Sequence, residues 1–417
     1  MNANVSMIVW NEFRNDARVL KEAQTLQSAG YQVTVHALHT PGVTQERETL
    51  PCGVKVVRVA RSPLWKWRKK HQVAASGQVQ GNGNSVQVKK PSGPITKLSL
   101  KGQLLRIIAR SWTHLGLLYQ LVRSKPDVVH GHDVNTLPTA WLASVIARVP
   151  LVYDAHEIST DREGYASFRK IVGWVEKKLM PRAAGTITTT DIRAKFFALA
   201  YKVPRPLVLQ NRPRLTQGPK SEKIRQQLGL KEDWPIVIYQ GGLQQGRGLE
   251  RIVDAAQQVE GAYFVFIGGG RLELPLKEQT ARLGLEDKVH FIDTVSLDEL
   301  PQYTASADIG VQAIENTCLN HYSTDSNKLF EYMMAGLPVI ATSLPEIRKL
   351  VLEHDLGLLV ASGETNELAS AIRCLVGNSD MRQKLGKNSA IAAQQLNWEG
   401  QEGALLTLYK DVLAGKY

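Results

Sequence analysis

The stretch NKLFEYMMAGLPVIAT, residues 327–342, places a helix-like segment directly before an apolar strand. Apolar side chains spread over most of the first segment, so the pattern predicts a packed helix over residues 327–335 that ends at Gly336. One carboxylate, Glu331, falls inside this helix. It is either a solvated surface group or a packed group that needs a hydrogen-bonding partner, such as a ligand diol.

The polar loop before this helix supplies four N-cap candidates, Ser323, Thr324, Asp325 and Ser326. Hydroxyl groups and the free N–H groups of a helix N-terminus suit a phosphate or a sugar, whereas further negative charge would repel a phosphate. The loop and helix together therefore predict a site for an anionic, hydroxyl-bearing ligand.

Apolar strands and helical segments alternate along the chain. Strands are expected at 6–10, 31–38, 54–60, 127–132 and 150–157, then at 235–242, 262–270, 288–293, 308–314 and 337–343. This alternation predicts an α/β protein with two Rossmann-like, doubly wound domains. The loops at the carboxyl ends of their strands are expected to face a cleft.

The 417 residues are enough for two domains. We predict an N-terminal domain over 1–210, a linker at 211–219 and a C-terminal domain over 220–396. Residues 397–417 form a terminal amphipathic helix that is expected to pack back on the first domain. Gly, Gln and Ser dominate residues 72–94, which predicts a mobile insertion.

Bulk properties limit the class of protein. Hydrophobic residues make up 43% of the chain, but no apolar run approaches the roughly 20 residues that span a bilayer. The N-terminus does not have the pattern of a signal peptide. The three cysteines, Cys52, Cys318 and Cys374, are scattered, which fits a reducing compartment. These features favour a cytoplasmic protein.

The net charge of +12 is unevenly distributed, since Lys and Arg recur between Thr49 and Pro126 without any Asp or Glu. This region contains LWKWRKKH at 64–71, where tryptophans alternate with basic residues. Such a segment suits an anionic membrane surface. A solvated basic loop is the main alternative. Nucleic acid is less favoured, because no nucleic-acid-binding motif accompanies the charge.

The sequence YQGGLQQGRG at 239–248 follows a predicted strand and opens a predicted helix. Gly241 and Gly242 would let the backbone approach a ligand, and Arg247 could clamp a phosphate. A tight turn with a surface arginine is the alternative. FIGGG at 266–270 does not spell a dinucleotide fingerprint.

Three of these features together resemble the GT-B retaining glycosyltransferases of glycosyltransferase family 4. They are the GxLxxxRG pattern of Gly241–Gly248, the strand ADIGV with the following NKLFEYMMAGLPVIAT, and the loop YDAHE at 153–157. The resemblance covers nearly the whole chain. It implies that the N-terminal domain binds the acceptor and the C-terminal domain binds a nucleoside-diphosphate sugar.

The resemblance also implies site residues. Glu331 would hold the ribose, Arg247 the β-phosphate, and His156 would lie beside the transferred sugar. The catalytic set would be His156, Arg247 and Lys328. The implied donor-binding residues are Gly241, Gly242, Arg247, Ser323, Thr324, Asp325, Ser326, Asn327, Lys328, Leu329 and Glu331.

Candidate acceptor-side residues lie in the N-terminal half: Asp16, Arg18, His132 and Asp133. A helix-capping Asp16 and a surface Arg18 are the alternative. The run HGHD at 130–133 also suggests metal ligands, but the sequence offers no third ligand beside it. With no DxD motif present, the resemblance implies a transferase that needs neither a metal nor another cofactor.

Two positions depart from the family pattern. Ser323 stands where the family has the first glutamate of its E-x7-E motif, so Glu315 or Asp325 could contact the sugar instead. Gly242 stands where many members have arginine, which leaves Arg247 as the main cation, helped by Lys328. These departures put the donor sugar in doubt and leave nucleotide binding intact.

The implied reaction transfers a sugar, with retention, from a nucleoside-diphosphate sugar to a glycan or lipid-linked acceptor. Bacterial surface polysaccharide or glycoconjugate synthesis is the expected setting, with the enzyme cytoplasmic or peripheral on the inner membrane face. Two alternatives stay open: a nucleotide-sugar 2-epimerase of the same architecture, and a non-catalytic nucleotide-sugar-binding protein.

Overall fold

The computed structural model of the protein describes residues 3–61, 100–216, 218 and 220–416. The basic segment at 64–71 and the insertion predicted at 72–94 lie outside the described residues, as do positions 217 and 219 of the predicted linker. The expectations for these segments stay predictions.

The described strands, in chain order, are β1 Asn4–Ile8, β2 Gln32–His39, β3 Arg47–Thr49, β4 Lys55–Ala60, β5 Val128–His132, β6 Leu151–Ala155, β7 Gly185–Thr188, β8 Leu207–Val208, β9 Ile236–Gln240, β10 Tyr263–Ile267, β11 Val289–Ile292, β12 Ile309–Gln312, β13 Val339–Thr342 and β14 Gly357–Val360. Each strand expected from the sequence is present, with ends shifted by up to three residues. The short strands β3, β7, β8 and β14 were not expected.

The described α-helices are Ala17–Ser28, Leu100–Arg123, Asp133–Ala147, Arg169–Leu179, Asp191–Tyr201, Lys223–Leu228, Leu249–Gln257, Glu273–Arg282, Leu300–Thr304, Leu319–Tyr322, Asn327–Met334, Pro345–His354, Thr365–Gly377, Ser379–Ala393 and Glu399–Leu413. Short 3-10 helices cover Ser159–Asp161, Glu163–Phe168 and Met180–Arg182. None of the helices in the described ranges combines the length and hydropathy of a membrane-spanning segment.

The chain divides into two compact units. The first contains the described residues of Met1–Asp154, Arg182–Ala184 and Val412–Tyr417. Its strands lie in the order β3-β4-β2-β1-β5-β6. The pairs β1–β2, β1–β5, β2–β4 and β5–β6 are parallel, and β3–β4 is antiparallel. The chain therefore winds outward in both directions from the boundary between β1 and β5, as a doubly wound sheet does.

The second unit contains Ala155–Pro181 and Gly185–Asp411. Its main sheet has the order β11-β10-β9-β12-β13-β14 and is parallel throughout. The chain again reverses direction between β9 and β12, so the loops that follow these two strands flank the point where such sheets bind ligands. Strands β7 and β8 pair in parallel in the same unit. The predicted fold class is confirmed.

The helix Asn327–Met334 is fixed to this sheet through Tyr332. The ring of Tyr332 is fully buried against Gly310 of β12, and its hydroxyl lies 3.2 Å from the carbonyl oxygens of both Ile238 and Val311. A Cβ atom on Gly310 would lie 2.4 Å from the ring carbons of Tyr332. The absence of a side chain at Gly310 therefore sets how closely the helix approaches the sheet.

We expect Gly310→Ala to lower the free energy of unfolding by about 1–3 kcal/mol, because the methyl group overlaps the Tyr332 ring in a packed core. Urea unfolding measures the change. The matched control is Gly403→Ala on the exposed face of the helix Glu399–Leu413, where an added Cβ meets nothing within 4 Å. That control should stabilise by about 0.5–1 kcal/mol. Equal stability of Gly310→Ala and wild type would contradict the packing.

Candidate active site

The candidate donor site lies where the second sheet reverses direction. Strand β9 ends at Gln240, the loop after β12 runs through residues 313–326, and the helix Asn327–Met334 begins directly after that loop. Residues far apart in sequence therefore meet at the carboxyl ends of neighbouring parallel strands.

Glu331 has the hydrogen-bonding partner that its position in a packed helix requires. The Gln240 side-chain amide donates to one Glu331 carboxylate oxygen at 2.6 Å, and the Thr304 hydroxyl donates to the Gln240 carbonyl oxygen at 2.8 Å. Gln240 and Thr304 are buried, while Glu331 is half-buried. The carboxylate is therefore held in one orientation with part of its surface toward solvent. Sequence reasoning missed both partners, although Gln240 precedes the two glycines.

Lys328 and Arg247 place two positive charges beside each other. Burial, followed by the nearby charge of Arg247, lowers the pKa of Lys328 to about 8, and Glu331 opposes this shift. The Lys328 ammonium lies 5.3 Å from the centre of the Tyr239 ring, and a Cβ atom on Gly241 would come within 2.7 Å of its Cε. Two adjacent cations disfavour each other until an anion neutralises them.

The phosphate-binding loop predicted from the sequence has a backbone that only glycine tolerates. Gly248 has a φ of +66°, and a Cβ atom there would lie 2.0 Å from the carbonyl oxygen of Ala313. The loop is therefore pressed against the residue that follows β12. This contact fixes Arg247 immediately before the helix Leu249–Gln257.

The other donor-side candidates surround this group. Gly241 and Gly242 are exposed after β9, Asn327 is exposed at the helix start, and Leu329 is fully buried in the core. The Thr324 hydroxyl accepts a hydrogen bond from the backbone N–H of Ser326 at 3.2 Å. Ser326 itself has a φ of +50°, a conformation that is costly for a residue with a side chain and recurs at binding sites.

Ser323, at the position of the family's first glutamate, is fully buried and contacts Arg193. The Arg193 guanidinium donates to the Ser323 hydroxyl at 3.1 Å, to the carbonyl oxygen of His156 at 2.6 Å and to that of Asn320 at 3.0 Å. Asn320 also exchanges two hydrogen bonds with the backbone of Ile158. The structure thus joins the loop of His156 to the loop of Ser323 through one buried arginine.

The two acids considered as replacements for that glutamate have other partners. Glu315 forms an ion pair of 2.8 Å with Arg251. Asp325 accepts a 2.9 Å hydrogen bond from Gln210, and burial raises its pKa to about 6 although Arg193 opposes the shift. Both acids, which lie in the loop after β12, therefore have ionic or hydrogen-bonding partners of their own.

The acceptor-side candidates occupy the reversal point of the first sheet. Asp16 caps the helix Ala17–Ser28, since its carboxylate accepts from the backbone N–H of Val19 at 3.2 Å. Arg18 is buried and is not a surface residue: it donates to both carboxylate oxygens of Asp154, at 2.7 and 2.9 Å. His132 is buried, whereas Asp133 is half-buried. The capping alternative is right for Asp16, and the surface alternative is wrong for Arg18.

The fold supplies acids beside HGHD that the sequence did not reveal. Glu22, His130, His132 and Asp154 are all buried, and one ligand-type atom from each lies within 4.8 Å of the others. Asp133 is not part of this group. The Arg18 guanidinium lies 3.2 Å from Glu22 as well as 2.7 Å from Asp154, so a cation already stands between the two carboxylates. This arrangement resembles a buried ion-pair network more than an open metal site.

Residues 16–211 match the family described as "Glycosyl transferase 4-like domain", and residues 220–391 match "Glycosyl transferases group 1". The chain belongs to the group 1, family 4 glycosyltransferases. This membership confirms the predicted enzyme class, whose members use nucleoside-diphosphate sugars as donors.

Relatives and solved structures agree with this membership. The enzyme is 27% identical to D-inositol 3-phosphate glycosyltransferase of Nocardia farcinica over 324 residues, which is 71% of this chain and 70% of the relative. It shares the fold of sucrose-phosphate synthase from Thermosynechococcus elongatus, with a TM-score of 0.77, 18% identity, and coverage of 99% and 100% of the two chains. Anabaena HepE, solved with UDP-glucose, gives a TM-score of 0.70, 19% identity and 99% coverage of both chains. These structures show that the glycosyltransferase has a GT-B fold.

The pKa of Lys328 predicts how donor binding depends on pH. Below about pH 8 the free enzyme carries a protonated lysine, so its affinity for a nucleoside diphosphate should change little between pH 7 and pH 8. As pH rises through 8, the neutral amine must take up a proton on binding, and the affinity should fall by up to about tenfold per pH unit. Isothermal titration near pH 7 and near pH 9 measures this difference.

The control variant is Lys328→Arg, whose guanidinium stays charged over this range. Its affinity for the nucleoside diphosphate should be similar at both pH values, even if it is lower than that of wild type. A wild-type enzyme that binds equally well near pH 7 and near pH 9 would contradict the lowered pKa.

The buried ion pairs of Arg18 with Glu22 and Asp154 predict that the stability of an Arg18 variant depends on pH. Arg18→Met should destabilise the enzyme by about 3–5 kcal/mol near pH 7, because Asp154 and Glu22 lose their shared cation. Without that cation the two buried carboxylates repel each other, so the deficit should shrink as pH falls and they become protonated. Urea unfolding near pH 7 and near pH 5 tests both effects.

Arg214→Met serves as the control, because Arg214 pairs with Glu399 and Glu402 and its side chain is 38% exposed. That substitution should change stability by no more than about 1 kcal/mol. A deficit in Arg18→Met that is small, or that is the same at both pH values, would show that the network does not depend on the guanidinium.

Proposed function

We propose that this glycosyltransferase moves a sugar, with retention of anomeric configuration, from a nucleoside-diphosphate sugar to a glycan or lipid-linked acceptor. The observation that carries the proposal is the adjacent cation pair, Lys328 and Arg247, beside the oriented carboxylate of Glu331. A nucleoside-diphosphate sugar carries a dianionic diphosphate and a ribose diol. The site matches that combination of charge and hydrogen bonding.

In this proposal the donor is bound by Glu331, Lys328, Arg247 and Gly241. Glu331 accepts hydrogen bonds from the ribose hydroxyls, while Gln240 holds the carboxylate in place. Lys328 and Arg247 bind the diphosphate, together with the N–H groups at the start of the helix Asn327–Met334. Gly241 lets the diphosphate approach the backbone. His156 lies beside the transferred sugar.

The chemical step breaks the bond between the sugar anomeric carbon and the β-phosphate oxygen. The acceptor hydroxyl attacks from the same face, and its proton passes to the departing phosphate. Negative charge that develops on the leaving group is stabilised by Lys328 and Arg247. Because these cations supply the positive charge, we propose that the reaction requires neither a metal ion nor another cofactor.

On the acceptor side, half-buried Asp16 and Asp133 are the residues we propose to contact the acceptor. Arg18 and His132 are buried, so we propose that they position the neighbouring loops and do not contact the acceptor themselves. Bacterial surface polysaccharide or glycoconjugate synthesis at the cytoplasmic face of the membrane is the setting that we propose. The long basic region before the helix Leu100–Arg123 supports an acceptor close to an anionic lipid surface.

Nucleotide binding gives the first test. Thermal unfolding with UDP, GDP or ADP near 100-fold over the dissociation constant should show a stabilisation of about 2.7 kcal/mol for the nucleotide that matches the donor. UDP is the first nucleotide to test, because HepE was solved with UDP-glucose. Glu331→Ala should remove most of the shift, since the ribose loses its acceptor and Gln240 loses its partner.

Glu353→Ala on the helix Pro345–His354 is the matched control, because Glu353 is an exposed glutamate of the same unit. It should leave the nucleotide-induced shift unchanged. An absent shift with all three nucleotides, or a full shift in Glu331→Ala, would contradict the proposed donor site. Product analysis with the matching sugar nucleotide then tests whether transfer occurs with retention.

A further inference from the structure

Gln312, the last residue of β12, is a fully buried side chain without a hydrogen-bonding partner among the described residues. Its exposure is 0%, and neither its amide nitrogen nor its amide oxygen makes a hydrogen bond to a described group. Gln240 ends the neighbouring strand β9 and uses both of its polar atoms, toward Glu331 and Thr304. A buried amide without a partner lowers the stability of a fold, so a position that keeps one indicates a role beyond packing.

The alternation of side chains along β12 places Gln312 beneath the first turn of the helix Asn327–Met334. Gly310 lies two residues earlier on the same face of the strand, and that face carries the ring of Tyr332. The helix connects β12 to the parallel strand β13, so it runs antiparallel to both. From this contact, Lys328 lies about 6 Å back along the helix and Gln312 about 7 Å further along the strand. The two side chains therefore leave the backbone near each other.

The Lys328 ammonium is a group that the Gln312 amide can complement. An ammonium donates three hydrogen bonds and accepts none, whereas an amide oxygen accepts. The ammonium lies 5.3 Å from the centre of the Tyr239 ring, beside the charge of Arg247. A hydrogen bond to a neutral acceptor favours the charged form of a lysine and leaves its charge available for an anion.

We propose that Gln312 is a positioning residue for Lys328 in the donor complex. As a nucleoside diphosphate binds, the Lys328 ammonium leaves the Tyr239 ring, donates one hydrogen bond to the Gln312 amide oxygen and directs the others at the diphosphate. Gln312 is fully buried, so it acts through the lysine and does not touch the ligand. The inference rests on the proposed function, because the diphosphate site is part of that function.

The neutral amide suits this position better than an acid would. A carboxylate at position 312 could also accept from the ammonium, but its negative charge would repel the diphosphate. An apolar side chain would pack at this position but would leave the ammonium without an acceptor on that side. Glutamine therefore supplies an acceptor without adding charge to the site.

The test compares the full-length enzyme with Gln312→Met, which removes the amide and keeps an unbranched side chain of similar length. Isothermal titration near pH 7 with UDP, GDP and ADP identifies the nucleotide that wild type binds. The dissociation constant for that nucleotide should rise by about tenfold in the variant, since one hydrogen bond to a charged group is lost. The urea midpoint of the free enzyme should stay the same or rise, because no hydrogen bond is lost there.

A double-substitution cycle measures whether Gln312 acts through Lys328. Lys328→Met alone should weaken nucleotide binding, because the diphosphate loses a cation. Adding Gln312→Met to that variant should change the dissociation constant by less than about twofold. Residues that contribute to binding independently would instead multiply their effects in the double variant.

Gln279→Met is the matched control, because Gln279 is a buried glutamine of the same unit that has partners. Its amide donates to the carbonyl oxygen of Glu250 at 3.0 Å and to the carboxylate of Asp254 at 2.6 Å. This variant should lower the urea midpoint, because those hydrogen bonds are lost. Its dissociation constant for the nucleotide should equal that of wild type.

Three results would overturn this inference and leave the donor site standing. Gln312→Met could bind the nucleotide as tightly as wild type, its urea midpoint could fall as in Gln279→Met, or its effect could multiply with that of Lys328→Met. A wild-type enzyme that binds none of the three nucleotides would instead overturn the donor site, and this inference with it. The two failures are therefore distinguishable.

Discussion

The proposed donor site depends on two positive charges, Lys328 and Arg247, that are held near each other. Arg247 lies in the loop after β9 and Lys328 in the first turn of the helix Asn327–Met334, and the charge of Arg247 adds to burial in lowering the pKa of Lys328. The cost is tolerable because Glu331 lies on the same helix and because the Tyr239 ring faces the ammonium. In the proposed donor complex a diphosphate relieves this repulsion, so the two cations favour binding of an anion before the ligand arrives.

The buried contact between Arg193 and Ser323 changes how the missing glutamate is understood. A carboxylate at position 323 would stand against a guanidinium that already donates to the carbonyl oxygens of His156 and Asn320. Serine at this position instead accepts one hydrogen bond and adds no charge to the core. The departure from the family pattern is thus part of an internal network, and it need not mean that the enzyme has lost activity.

Much of the fold could be predicted from the sequence, because strands and helices have different apolar periods. The short strands β3 and β14 were missed because three or four residues contain too little of a period to be recognised. At the site, the sequence indicated that Glu331 needs a partner but could not identify Gln240, which is 91 positions away.

Arg18 shows more clearly that local sequence patterns do not identify partners that are distant in sequence. An arginine after a helix cap is ordinarily solvated, and here it is buried because Asp154, 136 positions later, ends in the same place. Glu22 joins His130 and His132 in the same way. Contacts of this kind follow from sheet order, which a local pattern does not contain. Composition did reveal the unbroken basic charge before residue 126, since charge can be counted without a fold.

The position of Tyr332 has a consequence for motion. The ladder between β9 and β12 includes the pair Gly310 and Ile238, and the Tyr332 hydroxyl lies within reach of the carbonyl oxygens of Ile238 and Val311 on those two strands. Through Tyr332, the helix Asn327–Met334 is therefore attached to both strands at the point where the sheet reverses direction. The Tyr332 hydroxyl would have to leave both carbonyl oxygens before this helix could slide along the sheet, so the Glu331 carboxylate is held in place with the two strands. We therefore expect any rearrangement during a catalytic cycle to occur in the glycine-rich loop after β9 and the polar loop after β12.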